Sequence, residues 1–337
     1  MKDLLLAIES SCDDSSIAIV STKDLSCCFY ETITQDHSLY GGVVPELAAR
    51  LHSQALVLML KRAEGFLPRL AAIAVSSEPG LMPSLASGVA LAKSLALGLN
   101  LPLISTNHLM GHIYSLVLEE RFSFDSSWAI LLVSGAHSML LKSLGNGSFK
   151  KLCESLDDSF GESFDKVARM LYLGYPGGPL IEKLAKLGNE NSFPFTVPLK
   201  REKNRLEYSF SGIKNQARLF AQKLEEEGLL ESKAPDLAAS FQKVAAAHLL
   251  DKLELALRAN PFKKLGIVGG ASANLHLREK MQELCLKHDL SLHLAPLSFC
   301  SDNARMIARA ALEQFWAKDF VSIKDDLIRA RTRAFDD

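Results

Sequence analysis

His108 and His112, in Asn107-His108-Leu109-Met110-Gly111-His112, stand four residues apart. At helical spacing they share one face, so both imidazoles can converge on a metal ion. Spacing alone fits two partly exposed surface histidines equally well, and no neighbouring residue supplies a third ligand. Leu109 follows the first histidine, so the His-Glu-x-x-His pattern of zinc proteases is absent. Neither Leu109 nor Met110 can act as a general base.

A second group of residues suits phosphate. Ser134-Gly135-Ala136-His137-Ser138 follows an apolar run, and such a turn can present successive backbone N–H groups to phosphate oxygens. Gly269-Gly270 precedes a helical pattern whose N-terminus adds positive potential. Each alone reads first as a tight turn, but three such turns at strand ends favour nucleotide binding. No G-x-G-x-x-G or G-x-x-x-x-G-K-[ST] pattern is present, which disfavours a Rossmann site and a P-loop. The third turn, Cys12-Asp13-Asp14-Ser15-Ser16, is acidic; its carboxylates can serve a metal-bound water or a proton, or simply cap the backbone. Pro176-Gly177-Gly178-Pro179 is a rigid turn behind the helix carrying Asp165 and Lys166, where glycine lets a ligand approach the backbone.

Elements able to position these groups alternate along the chain. Apolar runs predict strands over residues 4–8, 17–20, 128–133, 139–141 and 264–268, with others near 72 and 103. Helical periodicity predicts helices over 45–62, 84–98, 161–173, 234–259, 275–288 and 303–315. The alternation argues for an α/β fold. Strand–turn–strand units at 4–20 and 128–141 suggest a duplicated architecture of two lobes with a cleft. The expected division is 1–125 for the first lobe and 126–325 for the second, whose C-terminal helix can pack back on the first; 326–337 forms a tail.

Bulk properties set limits. The 337 residues are 48% hydrophobic and 23% charged, an ordinary globular composition. The net charge of -1 provides no global positive field for nucleic acid, so RNA contact must come from a local patch or a partner. Basic clusters lie at 200–205, 263–264 and 329–333, and Leu199–Glu207 reads as an exposed loop. The six cysteines form no C-x-x-C pair, which suits a reduced cytoplasmic setting. Polar residues interrupt the apolar stretch at 81–97, which reads as a buried helix and not a membrane span.

In their order along the chain, Glu9–Asp14, Tyr40–Ala48, Pro79-Gly80-Leu81, Asn107–His112, Leu131–Ser138, Asp157–Lys166, Tyr175–Pro179, Phe210-Ser211-Gly212, Ala239–Gln242, Gly269–Asn274 and Ser301-Asp302-Asn303 are similar to the motifs of one family. The chain resembles, along nearly its whole length, the universal tRNA adenosine threonylcarbamoyltransferases, once described as O-sialoglycoprotein endopeptidases. The resemblance implies an actin-like fold of two related lobes, shared with sugar kinases and heat-shock chaperones. It implies His108, His112 and Asp302 as ligands of one divalent metal, Fe2+ or Zn2+. It implies Ser134, Gly135, Ala136, Asp165, Gly178 and Asn274 as the lining of the nucleotide-substrate pocket, with Leu132 and Val133 opening that segment as strand backbone. Five departures stand out: Ala136 where a second glycine is usual, Met110 where glutamate is expected, Asp14 for glutamate, and Glu78 and Pro83 for smaller residues.

The implied reaction moves threonylcarbamoyl from threonylcarbamoyl-AMP to N6 of adenosine 37 in tRNAs reading codons that begin with A, giving threonylcarbamoyladenosine and AMP. Asp13 is the candidate proton acceptor, and ATP or AMP can occupy the donor's pocket. Implied partners are the tRNA anticodon loop, a paralogous actin-like subunit of the TsaB type as heterodimer through the first lobe, a small ATPase of the TsaE type, and a separate threonylcarbamoyl-AMP synthase, with no membrane. A metalloprotease of the older family label, an actin-like-fold phosphotransferase or ATPase, and a nucleotide-binding subunit without chemistry are the alternative readings.

Overall fold

The structure, a computed structural model, describes residues 2–200, 202, 205–332 and 334–336. Arg201, Lys203 and Asn204 of the expected exposed loop, and Arg333 of the last basic cluster, therefore lie outside the described residues. The chain divides into two compact units, Met1–Phe122 with Pro296–Ala334, and Ser123–Ala295 with Phe335–Asp337.

The first unit is built on five strands: β1 (Leu4–Glu9), β2 (Asp14–Ser21), β3 (Cys27–Thr34), β4 (Leu70–Glu78) and β5 (Leu103–Asn107). They lie in the order β3-β2-β1-β4-β5. β1 pairs antiparallel with β2 and parallel with β4, which is parallel to β5. Every residue of β1 and β2 is buried, as expected where both faces of a sheet are covered. Strand alternation feeds two cores. Leu4, Leu6 and Ile8 pack with Leu56, Met59, Val89 and Ala92 from α1 (Pro45–Arg62) and α2 (Met82–Leu99). Leu5 and Ala7 face the other way, onto Met306, Ile307 and Ala311 of the last helix.

The second unit repeats this topology. β6 (Trp128–Val133), β7 (Ser138–Gly145), β8 (Ser148–Glu154), β9 (Lys264–Val268) and β10 (Ser291–Leu294) lie in the order β10-β9-β6-β7-β8. β6 pairs antiparallel with β7 and parallel with β9, as β1 does with β2 and β4. Its helices are α4 (Phe160–Met170), α5 (Gly177–Ala185), α6 (Ser211–Glu226), α7 (Leu230–Ala259) and α8 (Leu275–Lys287). α3 (His108–Tyr114) and α9 (Ala304–Ala317) belong to the first unit.

This division differs from the one drawn from the sequence: residues 296–325 fall in the first unit, where α9, the helix expected to be able to pack back on the first lobe, buries Met306, Ile307 and Ala311 against β1 and β2. The expected tail is not free either: Leu327 packs in the first unit's core, and Phe335 is buried in the second unit. α2 is apolar enough by composition to cross a membrane. It buries Ser84, Leu85, Gly88, Val89, Ala92 and Ala96, and a side chain at Gly88 would place Cβ 2.4 Å from Ser10 Oγ. One face of it docks closely on the end of β1 while the opposite face stays exposed.

α9 is stapled to the segment following α3 by Arg309. This guanidinium, 1% exposed, donates from Nε to Val117 O at 3.0 Å and from Nη2 to Glu120 O at 2.9 Å. It lies over the Tyr114 ring and pairs with Glu313. Arg309→Met keeps the apolar stem but strands the buried Val117 carbonyl and unties that of Glu120. It should cost about 3 kcal/mol, read as a lower urea midpoint with an unchanged slope.

Candidate metal centre and nucleotide pocket

α3 starts where β5 ends. Asn107 caps it, its Oδ1 accepting from Leu109 N at 2.9 Å and Met110 N at 3.1 Å. Its Nδ2 donates to Glu78 Oε1 and Thr332 Oγ1, fixing the start of the helix. His108 and His112 then fall on one face, both buried, with ring centroids 4.7 Å apart. Between them Gly111 faces α9, where a Cβ would stand 2.8 Å from Ile307 Cδ1. Any larger residue would push the Ile307 and Met306 side chains aside. This close approach brings α3 against the start of α9, where Asn303 caps the helix through Met306 N and Asp302 immediately precedes it.

Asp302 Oδ1 lies 3.4 Å from His108 Nε2 and 3.1 Å from His112 Nε2. The three candidate ligand atoms lie within 4.8 Å of one another. His112 Nε2 meets Asp302 without hydrogen-bond geometry, and its Nδ1 has no partner among the described residues. Unpaired buried acceptors converging in this way are unfavourable unless a cation or proton joins them. The set fits a two-imidazole, one-carboxylate cation site with open positions.

The electrostatics agree. Burial opposes charging His108, but Asp302 and Glu9 outweigh it and hold the imidazole well above its ordinary range. Burial, followed by the charge on His108, lowers His112. Burial works against the Asp302 carboxylate, yet His108 and His112 hold it far below the usual carboxylate range. Metal uptake must therefore displace a proton from His108.

The acidic turn between β1 and β2 lies in the same unit. His52 of α1, fully buried, holds it with Nε2 2.9 Å from Cys12 O and Nδ1 2.7 Å from Ser15 Oγ. Asp13 is half-buried. Burial, partly offset by the Thr34 hydroxyl, pushes Asp14 up to about 7, and Asp302, Asp13 and Glu9 add to the rise. Burial also pushes the Cys12 thiol well up, with Asp13 and Asp302 adding, so a thiolate ligand is disfavoured there.

The expected nucleotide residues all lie in the second unit. Leu132 and Val133 are buried strand residues, contributing backbone only. Ser134 N donates to His137 O, and Ser134 Oγ accepts from Ala136 N at 3.3 Å and His137 N at 3.0 Å. The turn thus holds itself together, and among the described residues no acceptor is seen for the Gly135 N–H. The Ala136 methyl is exposed and meets no crowding. α4 abuts this turn: Ser159 Oγ donates to Gly135 O, and a Cβ on Gly161 would fall 2.5 Å from Ser134 O. Asp165 accepts from Gly177 N at 2.7 Å; burial raises its pKa and the backbone N–H groups of Gly177 and Gly178 partly restrain it. Its carboxylate is thus committed to the start of α5. Gly178 and Asn274 line a pocket of about 90 Å³ together with Phe164, Pro179, Glu182 and Ala271.

Three residues escaped the sequence reading as site members. Glu9 reaches His108 Nδ1 at 3.0 Å. Gln242 Oε1 accepts from Asn274 Nδ2 at 2.9 Å. Glu182 lines the pocket and accepts from Leu275 N. A carboxylate closing an otherwise apolar strand was a legible signal for Glu9; helical spacing gave none for the other two.

Two outcomes follow. Asp302→Ala should reduce bound metal to near zero by elemental analysis, and zinc affinity of the unaltered chain should tighten about tenfold per pH unit from pH 6 to 7, as the displaced proton becomes easier to remove. Gly269, with φ of 93° and Val133 O 2.3 Å from a built Cβ, should not tolerate alanine: Gly269→Ala should cost at least about 2 kcal/mol in thermal or urea unfolding.

The family model for "tRNA N6-adenosine threonylcarbamoyltransferase" (TsaD) matches residues 27–309. A relative of that name from Campylobacter jejuni is 54% identical over 337 residues, covering 99% of both chains. One from Wolinella succinogenes is 52% identical over 333 residues, covering 98% of this chain and 99% of that one. Among solved structures, full-length HypF in its phosphate- and nucleotide-bound form is 13% identical with a TM-score of 0.58, covering 93% of this chain and 55% of that one. The ADPNP-bound activator of 2-hydroxyisocaproyl-CoA dehydratase from Clostridium difficile is 14% identical with a TM-score of 0.50, covering 96% and 100%. These structures bear on the fold alone, which is the actin-like α/β fold. With its match running nearly end to end, the chain belongs to the tRNA N6-adenosine threonylcarbamoyltransferase family of acyltransferases.

Proposed function

We propose that this protein transfers the threonylcarbamoyl group of threonylcarbamoyl-AMP to N6 of adenosine 37, beside the anticodon, in tRNAs reading codons that begin with A. The near-full-length match to relatives bearing the transferase name carries this reading. The convergence of His108, His112 and Asp302 and the pocket at Gly178 and Asn274 support it.

The adenine N6 lone pair is delocalised into the ring, so the donor must be polarised and positioned. The N6–carbon bond forms at the carbamoyl carbonyl, the bond from that carbon to the phosphate oxygen breaks, AMP leaves, and the N6 proton must be accepted. His108, His112 and Asp302 would hold one divalent cation, Fe2+ or Zn2+, which supplies Lewis acidity. The resemblance assigns Gly178 and Asn274 to the AMP moiety, or to ATP or AMP in its place; the pocket they line with Phe164, Pro179 and Ala271, about 90 Å³, takes part of such a nucleotide. The Gly135 N–H suits a phosphate or carbonyl oxygen that gains charge. Asp13 is the proposed proton acceptor.

The protease reading fares worse. Met110 cannot act as a base, and the carboxylate nearest His108, that of Glu9, meets Nδ1 on the side of the ring away from the Nε2 cluster. Partner proposals stay as the resemblance implies them: a TsaB-type subunit, a TsaE-type ATPase, a donor-forming synthase and the tRNA, in the cytoplasm. Met82 and Leu97 of α2 and Val57 and Leu58 of α1 are exposed, which suits a heterodimer through the first unit.

The test is reconstitution. The chain, its partners, threonine, bicarbonate, ATP, the donor-forming enzyme and unmodified tRNA should yield threonylcarbamoyladenosine by mass spectrometry of digested tRNA. No product from active partners with metal supplied contradicts the proposal. Asp13→Asn should lower single-turnover transfer by about 100-fold while leaving bound metal unchanged.

A further inference from the structure

We infer that Glu9 is a positioning residue for the metal centre: its buried carboxylate holds His108 as the Nδ1–H tautomer, so that the Nε2 lone pair is the one offered to the cation. This rests on the reading of His108, His112 and Asp302 as a metal site.

Glu9 ends β1, whose other residues are all apolar, and its side chain is wholly buried. Its backbone is fixed by the pairing Glu9↔Ser16 with β2. Oε1 accepts from Ser11 N at 2.6 Å, and Oε2 lies 3.0 Å from His108 Nδ1. Ser11 Oγ lies 3.1 Å from the same nitrogen. An ionised carboxylate only accepts hydrogen bonds, so the shared proton sits on Nδ1 and Nε2 is left facing Asp302. A carboxylate beyond a ligating imidazole orients the ring and raises its basicity.

Charge balance points the same way. Burying a carboxylate is costly unless an opposite charge compensates. Once His108 gives up its proton, as ligation requires, Glu9 and Asp302 beside two neutral imidazoles carry two negative charges that one divalent cation neutralises. A fold needing only the Ser11 N–H acceptor would be served by an uncharged amide.

The substitution Glu9→Gln separates these roles. It keeps an acceptor for Ser11 N–H and turns an amide N–H2 toward His108 Nδ1. The probe is zinc alone, with the dissociation constant from chelator competition and the His108 ring followed by 15N NMR. In the zinc-loaded unaltered protein, Nε2 should be the metal-bound nitrogen and the Nδ1 proton should be shifted downfield and slow to exchange. In Glu9→Gln the zinc dissociation constant should rise about 10- to 100-fold, and that proton resonance should move upfield or vanish. Ser11→Ala should weaken zinc by less than Glu9→Gln does. A dissociation constant within twofold of the unaltered protein's in Glu9→Gln overturns the inference, as does a larger loss in Ser11→Ala. Zinc on Nδ1 in the unaltered protein also overturns it, even should the variant fail to fold. An unaltered protein that takes up no zinc overturns the metal site itself, and the inference with it.

Discussion

Three electron-rich atoms, two imidazole nitrogens and a carboxylate oxygen, point at one another in a largely buried place in the first unit. Such an arrangement repels itself out of water unless a positive charge sits among them. Much of that unit is built to hold it. Asn107 fixes where α3 begins, the bare Cα of Gly111 lets α3 close on α9, and Arg309 ties α9 to the segment beyond α3. The histidines come from one helix and the aspartate from a distant part of the chain, so assembly of the cluster depends on the fold being complete.

The two units use one strand order for opposite electrostatic ends. In the first, the turn between the antiparallel pair β1 and β2 carries Asp13 and Asp14, near Glu9 and Asp302, and burial, with a smaller share from repulsion among these acids, keeps Asp14 up at about 7. In the second, the equivalent turn between β6 and β7 carries no acid: Ser134 ties up the N–H groups of Ala136 and His137, and that of Gly135 is left over. Glycines at 161, 177 and 269 let backbone approach backbone around it. A duplicated scaffold thus offers cation-seeking oxygens in one copy and an anion-seeking amide in the other.

Much of this was legible in the sequence, and the gaps have physical causes. Strands buried on both faces, such as LLLAIE and WAILLV, announce themselves as apolar runs. The edge strands β3, β8 and β10 mix polar and apolar residues because one side meets solvent, and they were not foreseen. The histidine pair was visible from its spacing, whereas Asp302 entered only through the family resemblance, since helical spacing is silent about a ligand brought in by tertiary packing. The sequence counted α9 with the second lobe while allowing it to pack back on the first, because its apolar face reads the same whichever sheet it covers. Asp165 and Ser134 were expected to face a ligand, yet much of their hydrogen-bonding capacity goes to the local backbone, which residue type cannot reveal.

X-ray absorption at the metal edge of the purified protein addresses most directly what sits among His108, His112 and Asp302. One metal per chain is expected, with two imidazole nitrogens and otherwise oxygen in its inner shell, and no sulfur. A shell containing sulfur, a shell of oxygen alone, or a protein that retains no metal when iron and zinc are supplied would contradict a metal held by these three residues.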